Sequence, residues 1–497
     1  MSIPGLGYIA PAPPPGSAAA AAALVETTTV KLQPFWEYRF EVPAATTLTV
    51  RLVSGTAEKD GTELAPHTPY VFTRVKSKIN TWQTCELEVT SPNPDAYHAY
   101  TATPATPDAT SLVSYLNLHM KLEGLRAAVQ RSIENKNKNN NNAVGMGPRV
   151  LVCGPAGSGK TSLARTLAGW ATRMGGQPMV VNTDPTHGML ALPGTLSAAV
   201  FATIMDVTAE WGGTPSSGPT AIPVKLPLSY LFGLRAPREN PKLYRALVSR
   251  LAVATTSRLA DDPDVRRAGM LIDTGDLGHS GAAEDGDGNT NSNNTSGYDM
   301  LAHVASEFSA NIVVVLGSDS MTADLTRRFA GQKTTLGEDI AVVGLGRSDG
   351  AVERDAAFMQ SVAEATIKEY FFGDVRRNLS PHTQQVPFDA VTIWKVVEDS
   401  TNVSSDEDFY DPAASDSSFE RVEPSLAMSS CILAVVYAGI HDDPDTIRDA
   451  NIMGYVWVAG VDEAKRKLKL TAPVPTRLGD RPMVLGNYPE PVIGLTG

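Results

Sequence analysis

The eight residues Gly154-Pro155-Ala156-Gly157-Ser158-Gly159-Lys160-Thr161 match G-x-x-x-x-G-K-[ST], a spacing that wraps a loop around a polyphosphate. The chemistry follows from the residue types. Gly157 and Gly159 let successive amides, with that of Ser158 between them, turn inward on the phosphates, and the helix that opens from Ser162 adds the partial positive charge of its N-terminus. Lys160 reaches the β- and γ-phosphates, and the Thr161 hydroxyl can ligate magnesium. No N-K-x-D or T-K-x-D follows a later strand to select guanine, so the expected nucleotide is ATP.

Two acidic residues end apolar runs nearby: Asp184 after Val180-Val181-Asn182-Thr183, and Asp273 after Met270-Leu271-Ile272. Carboxylates at the carboxyl ends of strands sit beside a P-loop. Either one could organise a magnesium ion and its water, or accept a proton from an attacking hydroxyl. Helix capping is an equal alternative for each.

These groups need a frame that brings them to one sheet edge. The run Val150-Leu151-Val152 supplies a strand ahead of the glycines, and Leu163, Leu167, Trp170 and Ala171 recur at helical spacing after them. Met179-Val180-Val181, Met270-Leu271-Ile272 and Ile312 to Leu316 repeat the strand-turn-helix pattern of a parallel α/β sheet buried on both faces. Before it, Trp36 to Val42, Leu48 to Leu52, Tyr70 to Phe72 and Cys85 to Val89 alternate with period two, as in a small all-β domain. Pro92, Pro94, Pro104 and Pro107 read as a linker, and Leu112 to Ile133 as a helix. After Phe372-Gly373, strand-like runs at Val391 to Val397, Leu433 to Tyr437, Met453 to Val461 and Leu468 to Leu470 indicate a third, smaller domain, mixed or mainly β. The expected division is a Pro- and Ala-rich disordered leader over 1–26, then domains over 27–108, 109–377 and 378–497. Three polar inserts, Asn135 to Asn142, Ala282 to Ser296 and Asp399 to Ser418, are expected to be solvated loops.

Composition narrows the function classes. The chain has 497 residues, 42% hydrophobic and 19% charged, ordinary values for a soluble multidomain protein. No apolar run approaches the roughly 20 residues of a membrane helix, so no membrane partner is expected. Cys85, Cys153 and Cys431 lie far apart and form no C-x-x-C pair, as suits a reducing compartment without a thiolate zinc site. With 42 basic against 54 acidic residues the net charge is -12. Any RNA contact must therefore be local, because the overall field repels nucleic acid.

Beyond these features, the chain resembles the Clp family of polynucleotide 5'-hydroxyl kinases, in particular its fungal branch, a subunit of the mRNA cleavage and polyadenylation machinery (cleavage factor IA). The likeness rests on Glu37 to Val42, Ser54-Gly55-Thr56-Ala57-Glu58 and Gly61-Thr62-Glu63-Leu64. It continues through the P-loop, Asp184-Pro185-Thr186-His187-Gly188, Leu192-Pro193-Gly194-Thr195 and Pro227 to Gly233. Lys242-Leu243-Tyr244, Ser257 to Ala260, Ser296-Gly297-Tyr298, Val352-Glu353-Arg354 and Glu369 to Gly373 complete it. The resemblance implies a multidomain α/β fold: an N-terminal β-sandwich, a central P-loop sheet with helices, and a small C-terminal mixed α/β domain. It implies a nuclear protein that holds ATP and Mg2+, with Glu37 and Lys76, or alternatively Lys78, at the adenine. It also implies a large scaffold subunit of cleavage factor IA as partner, one that binds the RNA polymerase II C-terminal domain, with other 3'-end processing factors around it.

In active members of the family the resemblance assigns the base for the RNA 5'-hydroxyl to the position of Asp184, and a lid arginine to that of Arg354. Here the Asp-x-x-Gln-Gly of active kinases reads Asp184-Pro185-Thr186-His187-Gly188. The polar clasp after Phe232-Gly233 reads Leu234-Arg235-Ala236-Pro237, leaving Asn240. The stacking tryptophan is replaced by Leu277, and the arginine-rich lid by Phe358 to Ala363. A lost aromatic platform forfeits about 1 to 3 kcal/mol of base stacking, and a missing arginine typically lowers phosphoryl transfer about 10³-fold or more. The expected function is an ATP-binding scaffold of 3'-end processing with kinase activity lost. The alternative is an active polynucleotide kinase carried by Lys160, Thr161, Asp184 and Arg354.

Overall fold

The computed structural model describes residues 26–105, 110–139, 145–209, 227–277, 290–374, 377–398 and 418–495. Period-two alternation builds two facing antiparallel sheets at the N-terminal end. One joins Glu26–Leu32, Cys85–Ser91, Leu48–Gly55 and Pro69–Phe72. The other joins Thr62–Glu63, Glu58–Lys59, Val75–Asn80, Glu37–Val42 and His98–Ala102. Phe40, Leu48, Val50, Leu52, Phe72, Leu87 and Val89 fill the space between them. The strand His98–Ala102 lies where prolines suggested a linker. Its one large hydrophobic side chain, Tyr100, is exposed and sets no hydrophobic period, so only pairing with Glu37–Val42 reveals it.

The central sheet runs Leu228–Leu231, Thr195–Val200, Met179–Asn182, Met270–Asp273, Arg149–Cys153, Ile312–Leu316, Ala341–Leu345. Five of these strands are parallel neighbours, as expected, but at one edge Thr195–Val200 runs antiparallel to them, and Leu228–Leu231 pairs antiparallel to it in turn. A parallel return needs a crossover of a dozen or more residues with room for a helix. The turn-rich connection from Asp184 to Gly194 contains none. Two of the inserts expected to be loops are partly helical, since one helix runs Ser111–Asn139 and another begins inside the second insert, Thr290–Glu307. Propagating an existing helix adds one hydrogen bond per residue and requires no burial, so polar residues can continue it. The third insert, over 399–417, and the leader over 1–25 lie outside the described residues.

The C-terminal sheet is mixed: His382–Pro387, Lys467–Ala472, Ile452–Asp462, Ile432–Val436, Met483–Leu485, Ile393–Val396, Phe419–Val422. One face carries its own core of Leu433, Val456, Val458, Leu468 and Leu470. The other presents Ala434, Tyr455, Trp457 and Val484 to the core of the central sheet. Tyr370 of the helix Ala356–Phe372 accepts a hydrogen bond from the Tyr455 amide at 3.0 Å, its ring edge-on to that of Tyr455.

The β-sandwich is fastened to the P-loop helix, Lys160–Arg173, by the hairpin of Glu58–Lys59 and Thr62–Glu63. The backbones touch: a methyl group on Gly61 would lie 2.5 Å from the Thr166 carbonyl oxygen, and one on Gly169 would lie 2.8 Å from that of Asp60. The Glu58 carboxylate, 2% exposed, accepts from Trp82 Nε1 at 2.9 Å, Asn80 Nδ2 at 3.2 Å and Trp170 Nε1 at 3.3 Å. Asp60 sits between Lys59 and Arg165, at 2.8 and 2.9 Å. Gly169→Ala is expected to lower stability by about 1 to 3 kcal/mol through overpacking. Gly124→Ala, whose methyl would meet nothing within 4 Å, should be neutral or stabilise by up to about 1 kcal/mol. Denaturant unfolding of the two variants checks the contrast, and equal stability would refute the close approach.

Candidate nucleotide site

The P-loop connects the strand Arg149–Cys153 to the helix Lys160–Arg173. Gly157 and Gly159 have φ of +65° and +95°, conformations that L side chains rarely adopt, so the amides can turn toward one point. Lys160 Nζ donates to the carbonyls of Gly154 and Pro155, both at 2.9 Å, which holds the ammonium inside the loop. Ser158 Oγ is buried there without a hydrogen-bond partner. Ser162 and Gly159 line the adjoining cavity.

Both strand-end carboxylates reach this edge, in opposite states. Asp273 Oδ2 accepts from Thr161 Oγ1 at 2.7 Å, while its Oδ1 is buried without a partner. Burial, with Asp184 close by, pushes its carboxyl up to about 7, against the opposing pull of the Thr161 hydroxyl. Asp184 is spoken for on both oxygens: Oδ1 accepts from the Thr186 amide at 2.9 Å and hydroxyl at 2.6 Å, and Oδ2 lies 2.9 Å from His187 Nδ1. Burial raises its carboxyl, but His187 and Thr186 together outweigh it and bring it down to about 2. A carboxylate so stabilised is a poor proton acceptor. The hydroxyl of Thr161 with the spare oxygen of Asp273 is the hard-oxygen chemistry that suits a magnesium ion and its waters. Among the described residues no cluster of three or more His, Cys, Asp or Glu could hold a metal.

The clasp position is used for packing. Asn240 caps the helix Pro241–Asp261, accepting from the Leu243 amide at 2.9 Å, and its Nδ2 donates to the Val397 carbonyl at 2.9 Å. Arg235 pairs with Glu490 and lies 4.9 Å over the Tyr488 ring. Leu277 is buried in the central core. Asn240, counted from sequence as the surviving polar group of the clasp, is thus occupied by a helix end and a domain contact.

On the sandwich side a cavity of about 110 Å³ is lined by Lys76, Lys78, Tyr115, Ser162, Thr166 and Arg354. It shares Arg39, Tyr100 and Ser348 with a cavity of about 540 Å³ that Glu37 lines. Glu37, 5% exposed, pairs with Lys78 and with Arg39 at 2.8 Å. Burial raises its carboxyl, but the two cations hold it below the usual range. Lys76 instead lies 3.2 Å from Glu41, donates to the Glu353 carbonyl at 3.1 Å and sits 5.4 Å from the Phe358 ring. Strand register explains the division, since Arg39 lies opposite Lys78 and Glu41 opposite Lys76. Sequence reasoning missed Arg39, whose signal is its place two residues from Glu37 on one strand face. It also missed Tyr488, whose hydroxyl donates to the Thr186 carbonyl at 3.0 Å across 302 positions and which no local pattern could have found.

Three family profiles match in succession. Residues 31–129 match the N-terminal beta-sandwich domain of polyadenylation factor. Residues 154–282 match the P-loop of the mRNA cleavage and polyadenylation factor CLP1, and 379–490 the pre-mRNA cleavage complex II protein Clp1. The mRNA cleavage and polyadenylation factor clp1 of Botryotinia fuckeliana is 46% identical over the full length of both chains. The chain belongs to the Clp1 family. Its counterpart in Pyricularia oryzae is 44% identical, again over both full lengths. Among solved structures, the complex of wild-type Clp1p with a Pcf11p segment superposes with a TM-score of 0.75 at 27% identity, covering 93% of this chain and 98% of that one. A further structure of the pair, equally similar, addresses an extended Pcf11p–Clp1p interface and ATP loss in a glycine-to-arginine mutant.

Two outcomes test the electrostatics of this Clp1-family site. Glu37→Gln should lose about 1 to 3 kcal/mol at neutral pH. The folded value of Glu37 lies below its ordinary 4.5, so the stabilisation is complete above that pH and disappears as pH falls through the folded value. The gap between variant and wild type should therefore close in acid, and a constant gap in denaturant unfolding would contradict the pairing. His187→Gln should raise the Asp184 carboxyl by about one unit or more, read by carbon-13 titration. No change would leave Thr186 as the sole cause.

Proposed function

We propose that this chain is an ATP-binding scaffold subunit of the nuclear pre-mRNA 3'-end cleavage and polyadenylation machinery, cleavage factor IA, with kinase activity lost. One observation carries the reading: a complete phosphate cradle stands beside a carboxylate, Asp184, whose two oxygens are held by Thr186 and His187. The cradle can bind a nucleotide, whereas the base that would activate a 5'-hydroxyl is held as a stable anion.

In this reading Gly157, Ser158, Gly159, Lys160, Thr161 and Ser162 hold the phosphates, with Glu37 and Lys76 on the adenosine side. Magnesium joins Thr161, with Asp184 and Asp273 behind it, and supplies charge neutralisation at the phosphates. Bound ATP touches both the central domain and the sandwich, so it stabilises their arrangement by binding only the folded form. The expected partner is the large scaffold subunit that also binds the RNA polymerase II C-terminal domain. Support comes from the solved Clp1p–Pcf11p complexes, whose Clp1p chain has this fold. Other 3'-end processing factors assemble around the pair, and RNA contact is local. No helix among the described residues is long and apolar enough to cross a membrane.

An active 5'-hydroxyl kinase is the second reading, favoured by Arg354 lining the cavity beside Gly159 and Ser162. Transfer of labelled γ-phosphate from ATP to a 5'-hydroxyl RNA oligonucleotide separates the two. The expected result is no transfer, with near-stoichiometric ATP on the wild type and none on Lys160→Ala. Transfer that vanishes in Lys160→Ala would restore the kinase.

A further inference from the structure

The strand Ala341–Leu345 delivers Arg347 to the same sheet edge as the P-loop. The stem of this arginine begins against the neighbouring strand end: the Gly317 amide donates to the Leu345 carbonyl at 2.8 Å, and a methyl group on Gly317 would lie 3.0 Å from Arg347 Cβ. The guanidinium reaches back over the loop, with Nη2 3.8 Å from where a methyl group on Gly157 would lie. The same Nη2 donates to the Ala351 carbonyl at 3.1 Å, and the Ala351 amide donates to the Ser348 carbonyl at 2.9 Å, closing the turn from Arg347 to Ala351.

That turn is held from the other side by the sandwich. Gly350 abuts Arg39, where a methyl group would lie 2.8 Å from Nε, and Lys76 Nζ grips the Glu353 carbonyl. The guanidinium is therefore placed by two domains above the loop residue whose amide, with that of Ser158, turns on the phosphates. Its planar fork of donors matches phosphate oxygens. An arginine presented in cis to a P-loop neutralises the outer phosphates of a bound triphosphate. Between Gly346 and Ala363 the chain carries two basic residues, Arg347 and Arg354, so Arg347 is half the positive charge this segment can bring.

We propose that Arg347 contacts the outer phosphates of a nucleoside triphosphate held in the P-loop, making the turn from Arg347 to Ala351 a clamp that favours triphosphate over monophosphate. This deepens the nucleotide-holding reading above and rests on it. The test uses the full chain, stripped of nucleotide, as wild type, Arg347→Ala, Arg347→Lys and Lys160→Ala. ATP affinity is measured by calorimetry, AMP affinity by competition, and folding by thermal unfolding without nucleotide. Arg347→Ala should weaken ATP by about tenfold or more, as for loss of a charge-assisted contact, and leave AMP within about twofold. Arg347→Lys should recover part of the ATP affinity. Unchanged ATP affinity in Arg347→Ala, with ATP lost in Lys160→Ala, overturns the clamp and leaves nucleotide holding intact. Equal weakening of ATP and AMP also overturns it. Wild type that binds no ATP overturns the nucleotide-holding reading itself.

Discussion

The contact on which the rest of the site depends is the backbone approach of the hairpin around Gly61 to the P-loop helix at Thr166 and Gly169. With no Cβ on either glycine, the sandwich comes close enough for Glu58 to bury its carboxylate against Trp170 and for Asp60 to reach Arg165. The helix that opens at Lys160 thereby belongs to both domains. Its first turn aims at phosphates, and its later turns anchor the surface that carries Glu37, Lys76 and Lys78. A cavity lined by residues of both domains follows from that one docking.

Inside this frame, two buried carboxylates a short distance apart cannot be equally ionised, and their surroundings separate them. Asp184 has a histidine and a threonine and stays an anion well into acid, whereas burial, with Asp184 nearby, pushes the Asp273 carboxyl up despite the Thr161 hydroxyl. Such separation is how a fold assigns different roles to like groups. Here it leaves the carboxyl beside Thr161 with one unpartnered oxygen, and Asp184 with both oxygens engaged.

The C-terminal sheet and the segment after it close over the side of the central domain that carries Thr186, Arg235 and Asn240. Tyr488 reaches the Thr186 carbonyl, Arg235 is held by Glu490, and Asn240 is bound to Val397. The polar groups on this face are committed to domain contacts, and the core there is continuous with the central one. On the opposite side, Lys76 and Arg39 fix the segment from Gly346 to Glu353 over the loop. Both regions hold domains together.

What the sequence determined by itself are the features carried by local pattern. The P-loop is legible from eight consecutive residues, because phosphate binding there uses neighbouring amides. The central strands and the helix after Thr161 are legible from period, since burial on one or both faces leaves its mark in the order of apolar residues. Asp184 and Asp273 are legible as strand ends, but not which of them bonds Thr161, because that depends on strand order: Met270–Asp273 lies next to Arg149–Cys153, and Met179–Asn182 one strand farther out. The tertiary structure alone paired Glu37 with Lys78 rather than Lys76, through register. It alone reversed Thr195–Val200 against the parallel strands, through a connection without a helix. It alone brought Tyr488 to Thr186 and Arg347 to Gly157. Each of these joins residues distant in the chain, and the energies that select them, dense packing and the pairing of buried charges, exist only once the separate elements have met.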